Sequence, residues 1–167
     1  MPIISELISD GKIYKLEYHD ADSFDDLPTD RLKQIYGVCF YRDKFVIGFR
    51  GKKKTWGLIG GSIEKGETLE QTFSREIQEE SNMRVLKWIP LGYQKVIPPE
   101  EKEFYQLRVA CTVEPIGDFA SDPDGSITKI KLVNPAEYKK YFYWGKIGDR
   151  IIERAVEIKK KFLDKNN

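Results

Sequence analysis

The chain has 167 residues, of which 40% are hydrophobic and 33% charged, with a formal net charge of +1 at pH 7. This composition predicts a soluble globular protein with a proper core, and the near-neutral charge gives no overall attraction to nucleic acid or to a membrane surface. No stretch is apolar and long enough for a membrane span, and no signal peptide is evident. The two cysteines, Cys39 and Cys111, lie among apolar strand residues, as expected of reduced, buried thiols in a cytoplasmic protein, and a zinc site is not expected.

Residues 1–34 are predicted to form an N-terminal hairpin or extension. Residues 3–18 alternate loosely around a Ser-Asp-Gly turn at 9–11, and the acidic, turn-rich stretch at 19–30 predicts a loop. The main domain is then predicted to span residues 35–163, so that the chain forms a single globular unit overall.

Two strands are predicted at residues 34–41 and 44–49, and a basic segment at 50–54 follows them. A solvated loop is the ordinary interpretation of such a segment. The functional alternative is phosphate contact at the mouth of a site. Arg50 is the residue best suited to that contact, because it ends a strand and is therefore better held.

Residues 68–81 are predicted to form a helix with well-marked ends. Thr68 is a suitable N-cap, and Gln71 three residues later completes the pattern of a capping box. Asn82 lies just past the last turn, where the chain often becomes left-handed, and Asn tolerates that conformation.

This helix carries acidic side chains toward its apolar face, against the usual amphipathic pattern. A rotation of about 100° per residue places three apolar residues on one stripe: Leu69, Phe73 and Ile77. Glu76 and Glu80 fall on the same side, and Glu79 lies just beyond its edge. Carboxylates at this spacing converge on one region, as hard divalent cations require. Because acids near an apolar edge are also common, the spacing alone favours neither interpretation.

Glycines are dense before the helix, at positions 57, 60, 61 and 66. Such density predicts tight turns and a close approach of the backbone to a ligand. The chain lacks the GK[ST] signature of a P-loop, and the helix that follows is acidic. The pattern therefore favours a phosphate group bridged by a metal ion.

The segment from Gly61 to Met83 resembles the Nudix box: Gly, five residues, Glu, seven residues, then Arg-Glu-aliphatic-x-Glu-Glu-x-Gly-aliphatic. Glu67 follows Gly61 at the required distance, and residues 75–83 are REIQEESNM. The fixed position that departs is Asn82, which stands where the family has Gly and is the next-best left-handed residue. The chain is thus similar to the Nudix (MutT-like) hydrolase superfamily.

The resemblance implies an α/β fold, specifically an α/β/α sandwich around a mixed central β-sheet. It implies an enzyme that hydrolyses the phosphoanhydride of a nucleoside diphosphate linked to another group X, by attack of a metal-activated water. Mg²⁺ or Mn²⁺ is the implied cofactor. By position, the metal ligands would be Glu76, Glu79 and Glu80, with the carbonyl of Gly61.

The resemblance also implies catalytic roles for Glu76, Glu79 and Arg75. Glu76 would orient or deprotonate the attacking water, as its counterpart is thought to do in some members. Arg75 and Glu67 would fix the glycine loop against the helix.

The remaining chain is predicted to form further strands and then helices, consistent with a sheet between helices. The predicted elements are one long strand or two short ones broken near Pro90 at 85–96, a central strand at 104–113, a strand at 127–132, a short helix at 135–141 and an amphipathic helix at 148–161 whose apolar stripe ends at Phe162. Gln106 and Arg108 share one face of the central strand. Together with Arg50 they are the predicted substrate-binding residues.

Many members of the family recruit a further acid from a loop outside the box. Two loops carry equal candidates, namely Glu100, Glu101 and Glu103 before the central strand, and Asp122 and Asp124 before the late strand. Each of these residues alone is most simply a surface acid. Four aromatic residues are candidates for stacking on a base, although each is more often a core residue: Tyr36, Phe49, Tyr105 and Trp144.

Group X is left open between a nucleoside triphosphate, as for MutT, and an ADP-ribose-like nucleotide sugar. Pro98, 16 residues past the box's Gly position, resembles the pattern of ADP-ribose pyrophosphatases, whereas the compact length suits a MutT-like enzyme. The alternative is a catalytically idle Nudix domain that binds nucleotides as a regulatory module, but such domains usually lose a box carboxylate. The expected partner is a small nucleotide, with neither nucleic acid nor a membrane expected, and a homodimer is left open.

Overall fold

The computed structural model describes residues 1–122 and 125–164 of the chain. Within these residues, nine strands form one sheet and two α-helices flank it. The strands are β1 (Ile3–Ser9), β2 (Lys12–Asp20), β3 (Leu32–Tyr41), β4 (Lys44–Arg50), β5 (Thr55–Gly57), β6 (Ile59–Ser62), β7 (Met83–Ile97), β8 (Phe104–Pro115) and β9 (Ile127–Val133). The helices are α1 (Leu69–Ser81) and α2 (Gly145–Ile158), and shorter helical turns span Thr29–Arg31, Pro135–Lys140 and Lys159–Leu163.

The sheet is mixed and is covered on both faces. Its order is β1-β2-β7-β8-β3-β4-β5, with β6 paired to β3 and β9 to β4. β3 and β8 run parallel, whereas β7 and β8 are antiparallel. α1 buries Phe73 and Ile77 in one core layer, and α2 buries Ile151 and Ala155 in the other. The predicted α/β/α sandwich around a mixed sheet is confirmed.

β3 changes partner along its length, and this change positions the glycines of β6. Residues 34–37 of β3 pair with β6, whereas only Phe40 and Tyr41 pair with β4. β6 also packs against α1. Gly60 and Gly61 therefore lie between a central strand and the helix that carries the acidic residues.

The N-terminal residues extend the same sheet, because β1 and β2 form a hairpin and β2 pairs with β7. The predicted loop at 19–30 is wrong in its first two residues, since His19 and Asp20 belong to β2 and pair with Tyr93 and Gly92. That partner strand lies far along the chain, so local composition could not indicate it. The division of the chain at residue 34 stays a prediction.

The structure refines two further predictions, one for the long strand at 85–96 and one for the last helix. β7 is a single strand, and the irregularity expected near Pro90 is absorbed as a register shift between Pro90 and Gly92. α2 ends at Ile158 and passes into a π-helical turn at Lys159–Leu163. The wider turn rotates the following side chains, so Leu163 is buried and Phe162 is 49% exposed. The prediction that Phe162 ends the apolar stripe is wrong for this reason.

α1 has the ends that the sequence predicts. Asn82 is left-handed, with φ of 54°, and its N–H donates to the carbonyl of Gln78. At the other end, Thr68 Oγ1 accepts from the amide of Gln71 at 3.1 Å, and Gln71 Oε1 accepts from the amide of Thr68 at 2.9 Å. The capping box is therefore complete.

Replacing Thr68 by alanine is expected to lower the free energy of unfolding by about 1 kcal/mol, because the amide of Gln71 then loses its acceptor. Urea unfolding followed by circular dichroism measures this change. Thr68→Ser keeps the hydroxyl and should retain most of the stability. Equal losses in the two variants would show that the hydroxyl does not act as the cap.

Candidate active site

The turn into β6 brings two glycines against the carboxylates of α1. The amide of Gly60 donates to Glu80 Oε1 at 2.9 Å. A Cβ on Gly60 would lie 2.6 Å from the Cα of Tyr36, so the backbone of β3 leaves no room for a side chain there. A Cβ on Gly61 would lie 2.5 Å from both carboxylate oxygens of Glu76. The two glycines therefore let the backbone touch both acids.

Glu80 is the most deeply buried acid of the helix. It is 6% exposed, and burial raises its pKa to about 7. The negative charges of Glu76 and Asp122 raise the pKa further, whereas the amide of Gly60 and the charge of Arg50 oppose the rise. The Gly60 amide and Arg50 therefore offset only part of the cost of burying the charged form of Glu80.

Glu76 shares this environment. Burial raises its pKa, the charges of Glu79 and Asp122 add to the rise, and hydrogen bonding and charge from Arg75 oppose it. Acids that crowd one another in this way are stabilised by a cation placed among them. The electrostatics of α1 therefore favour a bound cation.

Arg75 joins the loop before the helix to the acids of the helix. Its Nε and Nη2 donate to the two oxygens of Glu67 at 2.8 and 2.9 Å. Its Nη1 donates to Glu76 at 2.9 Å and to Glu79 at 3.4 Å. The bidentate contact with Arg75 lowers the pKa of Glu67 to about 2. Arg75 thus holds the loop and the helix in register, as the resemblance implies.

The carboxylates suit a hard divalent cation by their chemistry. Glu76, Glu79 and Glu80 supply oxygen donors along one side of α1, and the backbone at Gly61 touches Glu76. Among residues 1–122 and 125–164, no group of three or more His, Cys, Asp or Glu side chains reaches the geometry of a metal site. Arg75 accounts for part of this absence, because its Nη1 donates hydrogen bonds to Glu76 and Glu79 and so keeps these carboxylates directed toward itself. The three glutamates therefore have the oxygen donors that a divalent metal ion requires, but Arg75 competes with the metal for Glu76 and Glu79.

Of the loop acids, Asp122 lies near the cluster. It is 4% exposed, its negative charge raises the pKa of both Glu76 and Glu80, and Ser126 Oγ donates to its Oδ2 at 2.6 Å. The predicted alternative Asp124 lies outside the described residues.

The acids of the other loop lie between β7 and β8. Glu100 and Glu101 are exposed and Glu103 is partly exposed. Unlike Asp122, they are not among the charges that chiefly shift the pKa of Glu76 or of Glu80. The geometry therefore favours Asp122 over this loop.

Arg50 lies at the edge of the cluster. Its Nη2 donates to the carbonyl of Leu58 at 3.0 Å, and its charge lowers the pKa of Glu80. A Cβ on Gly57 would lie 2.8 Å from Arg50 Nη1 and 3.4 Å from Trp144 Cζ2. Arg50 therefore lies between the acids of α1 and the aromatic segment that enters α2.

Gln106 belongs to a row of amides that the sequence did not predict. Gln94 Nε2 donates to Gln106 Oε1, and Gln106 Nε2 donates to Gln34 Oε1, each at 2.8 Å. The three residues come from β7, β8 and β3, which are adjacent in the sheet. Their cross-strand register, which the sequence does not supply, brings them together.

Arg108 lies on the same face of β8 and is 5% exposed. Its guanidinium carbon is 5.2 Å from the centre of the Tyr36 ring. Tyr36 in turn packs beside Gly60, since a Cβ on Gly60 would lie 2.8 Å from Tyr36 Cδ1. One aromatic ring thus separates Arg108 from the glycine that binds Glu80.

The NUDIX domain family matches residues 32–155 of this chain. The chain therefore belongs to the Nudix family, whose members hydrolyse derivatives of nucleoside diphosphates. The predicted family and the predicted enzyme class, a pyrophosphohydrolase, are both confirmed. No curated protein sequence shows significant similarity to the chain.

Solved structures share the fold. A mutant of the Bacillus subtilis pyrophosphohydrolase BsRppH is 21% identical, with a TM-score of 0.66 over 92% of this chain and 96% of that one. A MutT structure from work on Aliivibrio salmonicida and Vibrio cholerae is 19% identical, with a TM-score of 0.57 over 76% and 98%. A Nudix hydrolase from Nitrosomonas europaea is 18% identical, with a TM-score of 0.55 over 75% and 89%. In the described residues, neither α1 nor α2 has the length and apolar character of a membrane-spanning helix.

Proposed function

We propose that the chain is a metal-dependent hydrolase that cleaves the phosphoanhydride of a small nucleotide, a nucleoside diphosphate linked to group X. The observation that carries the proposal is a pair of carboxylates, the half-buried Glu76 and the buried Glu80, which meet the backbone at Gly61 and Gly60 and whose pKa values are raised by burial. A bound cation stabilises such acids, and a diphosphate substrate needs the same cation. Mg²⁺ or Mn²⁺ is the proposed cofactor.

The proposed metal ligands are Glu76, Glu79, Glu80 and the carbonyl of Gly61. When bound, the cation would neutralise charge on the diphosphate and lower the pKa of a coordinated water. Glu76 would orient the attacking water and accept its proton. A carboxylate whose pKa is raised is better suited to take a proton near neutral pH.

Arg75 is proposed to act by positioning. Its two hydrogen bonds to Glu67 fix the loop before α1, and its contacts with Glu76 and Glu79 restrain both carboxylates. Restraint of this kind supports catalysis, because small displacements of reacting groups are costly.

Arg50 is proposed to bind a phosphate of the substrate. One of its nitrogens is fixed by the carbonyl of Leu58, and its charge already acts on Glu80. The remaining donors of the guanidinium form the planar fork that suits phosphate oxygens. Arg50 would then neutralise substrate charge at the edge of the acidic cluster.

The substrate is proposed to be a nucleoside triphosphate or an ADP-ribose-like nucleotide sugar. The names of the similar structures, a pyrophosphohydrolase and MutT, support this class. A hydrolysis panel with Mg²⁺ or Mn²⁺ tests it, with all NTPs and dNTPs, 8-oxo-dGTP, ADP-ribose, NADH and dinucleoside polyphosphates. We expect one strongly preferred nucleotide and no turnover in EDTA. Tight nucleotide binding without turnover on any of them would instead indicate the idle, nucleotide-binding module.

Asp122 is proposed as the loop acid that joins the site, and Asp122→Asn is expected to lower kcat by about tenfold to a hundredfold. The expected loss follows from its burial and from its charge acting on Glu76 and Glu80. Steady-state hydrolysis measures it, with Glu101→Gln as the matched change in the alternative loop. A large loss in Glu101→Gln with normal turnover in Asp122→Asn would reverse the assignment.

The remaining proposals concern the cellular location, the oligomeric state and the binding partner of the protein. A cytoplasmic location and a homodimer stay predictions, and fractionation of cells and light scattering would measure them. The proposed partner is a small nucleotide, without nucleic acid or membrane.

A further inference from the structure

A cleft of about 440 Å³ lies on the α2 side of the sheet. Its walls come from β1, β2, β7 and β8 and from the segment that enters α2. Six lining residues are polar or aromatic: Ser5, Glu6, Gln94, Arg108, Tyr143 and Trp144. The cleft is large enough for a nucleoside, and none of these residues belongs to the Nudix box.

On one side, the cleft connects to the proposed active site through Tyr36. Arg108 in the cleft lies over the Tyr36 ring, and that ring packs against Gly60, whose amide binds Glu80. A ligand that contacts Arg108 is therefore one ring away from the acidic cluster.

The second connection runs through Arg50. Trp144 in the cleft and Arg50 both lie beside the position that a Cβ on Gly57 would occupy, and the charge of Arg50 acts on Glu80. A nucleotide with its phosphates beside Arg50 would thus have its remaining part directed toward Trp144. Two independent contacts therefore place the cleft beside the phosphate-binding edge of the site.

Arg108 is a buried donor whose capacity is only partly used. Its Nη1 donates to the carbonyl of Leu107 at 3.2 Å, its Nη2 donates to Gln106 Oε1 at 3.4 Å, and its Nε is buried with no partner. Among the described residues no acid forms an ion pair with it, not even Glu6 in the same cleft. A guanidinium has five N–H donors and no acceptor. Leaving such donors buried and unpaired is costly, so an acceptor on a ligand would be favoured.

We propose that this cleft holds the nucleobase of the substrate and that Arg108 selects bases with a ring carbonyl, so that guanine is preferred to adenine. Guanine presents two acceptors, O6 and N7, to an arginine, whereas adenine carries an amino donor in place of O6. Adenine would leave donors of Arg108 unpaired, and buried unpaired groups give strong discrimination. The inference rests on the proposed function and deepens it by naming the base.

The other lining residues favour a base over a phosphate in this position. Trp144 is 41% exposed, and its ring is held 4.8 Å from that of Phe142, which leaves a face for stacking. Glu6 would repel an anion, and Gln94 supplies an amide that suits a polar base edge. Arg50, rather than Arg108, is the cation beside the acidic cluster.

Two sets of measurements on the natural enzyme test the inference. The first is kcat/KM for GTP, ITP and ATP with Mg²⁺. The second is calorimetric binding of GMP, IMP and AMP without metal, which does not depend on turnover. We expect the guanine and hypoxanthine nucleotides to exceed the adenine nucleotide by about tenfold or more in both. Inosine compounds keep O6 and lack the 2-amino group, so they isolate the carbonyl. Equal values for the three bases, or inosine values equal to those of adenosine, would overturn the inference.

Arg108→Met removes the donors and keeps a long side chain. In this variant kcat/KM for GTP and for ITP should fall at least about tenfold more than kcat/KM for ATP. The matched control is Arg84→Met, because Arg84 is exposed and pairs with Glu114 on the surface. The control should keep the preference. Equal weakening of all three nucleotides in Arg108→Met would indicate a phosphate contact and overturn the inference.

The outcomes also separate this inference from the proposed function. Selective binding of GMP and IMP without hydrolysis of any nucleotide would refute the proposed hydrolase while supporting the base site. Metal-dependent hydrolysis with ADP-ribose as the preferred substrate would support the hydrolase and overturn the base site. If Arg108→Met does not fold, the comparison of guanine, hypoxanthine and adenine nucleotides on the natural enzyme still tests the inference.

Discussion

Replacing Glu80 by glutamine is expected to lower kcat by about 10²- to 10³-fold in a protein that still folds. Glutamine keeps an Oε1 that accepts from the amide of Gly60, and it has nearly the same volume in this buried position. It loses the charge that is proposed to hold the cation. Hydrolysis measured across a Mg²⁺ titration gives the result.

The matched control is Glu70→Gln, which removes the charge of an exposed acid on the same helix. Its turnover should stay close to that of the natural enzyme. Full metal-dependent turnover in Glu80→Gln would contradict the role assigned to Glu80. So would an equal loss in both variants, since the effect would then belong to the helix as a whole.

The same substitution is expected to stabilise the metal-free protein at alkaline pH. Burial raises the pKa of Glu80 from the usual 4.5 to about 7, so the folded state binds this proton more tightly than the unfolded chain. The contribution to stability is complete below about pH 4.5 and is lost as the pH rises through about 7. Glu80→Gln has no such loss and should be more stable by about 3 kcal/mol at pH 8.

Urea unfolding in EDTA at pH 5 and pH 8 measures this effect. The two proteins should differ little at pH 5 and diverge at pH 8, with the natural protein less stable. Added Mg²⁺ should restore stability to the natural protein and not to Glu80→Gln, because a ligand stabilises the state that binds it. If the stability of the two proteins depended on pH in the same way, the loss of stability at alkaline pH would not come from ionisation of the buried Glu80.

Gly61→Ala is expected to lower kcat by about 10²-fold with little change in stability. The new Cβ would lie 2.5 Å from both oxygens of Glu76. The contact can be relieved by moving the far end of a flexible side chain, so the fold should tolerate it. A shift of on the order of 1 Å in a catalytic group is nevertheless enough to cost about 10² in rate.

Gly117→Ala is the matched control for Gly61→Ala. It adds the same methyl group at an exposed position, where the Cβ would lie 3.4 Å from Asn82 Nδ2. We expect normal kcat in this variant and similar urea midpoints for all three proteins. Normal turnover in Gly61→Ala, or a loss of stability equal to the loss of activity, would contradict the proposal that Glu76 must approach the backbone of Gly61.

Local sequence patterns predict where most strands lie, whereas pairing with distant strands decides where some of them end. Alternation of residues predicts most strands, but it does not predict that His19 and Asp20 continue β2, since β7 supplies their partners. The π-helical turn after α2 also follows from packing, and it buries Leu163 in place of Phe162. Side chains near element ends are therefore placed by contacts that a local pattern does not contain.

The sequence by itself determined the family and the helix that carries the acidic residues. The capping box, the left-handed Asn82 and the rotation that places Glu76 and Glu80 beside the apolar stripe all depend on neighbours within a few residues. The tertiary structure decided the rest of the site. Asp122 rather than the loop at 100–103 lies near the acids, and Arg108 reaches Gly60 through Tyr36. These groups come from separate strands and loops, and only the pairing of the sheet fixes which of them meet.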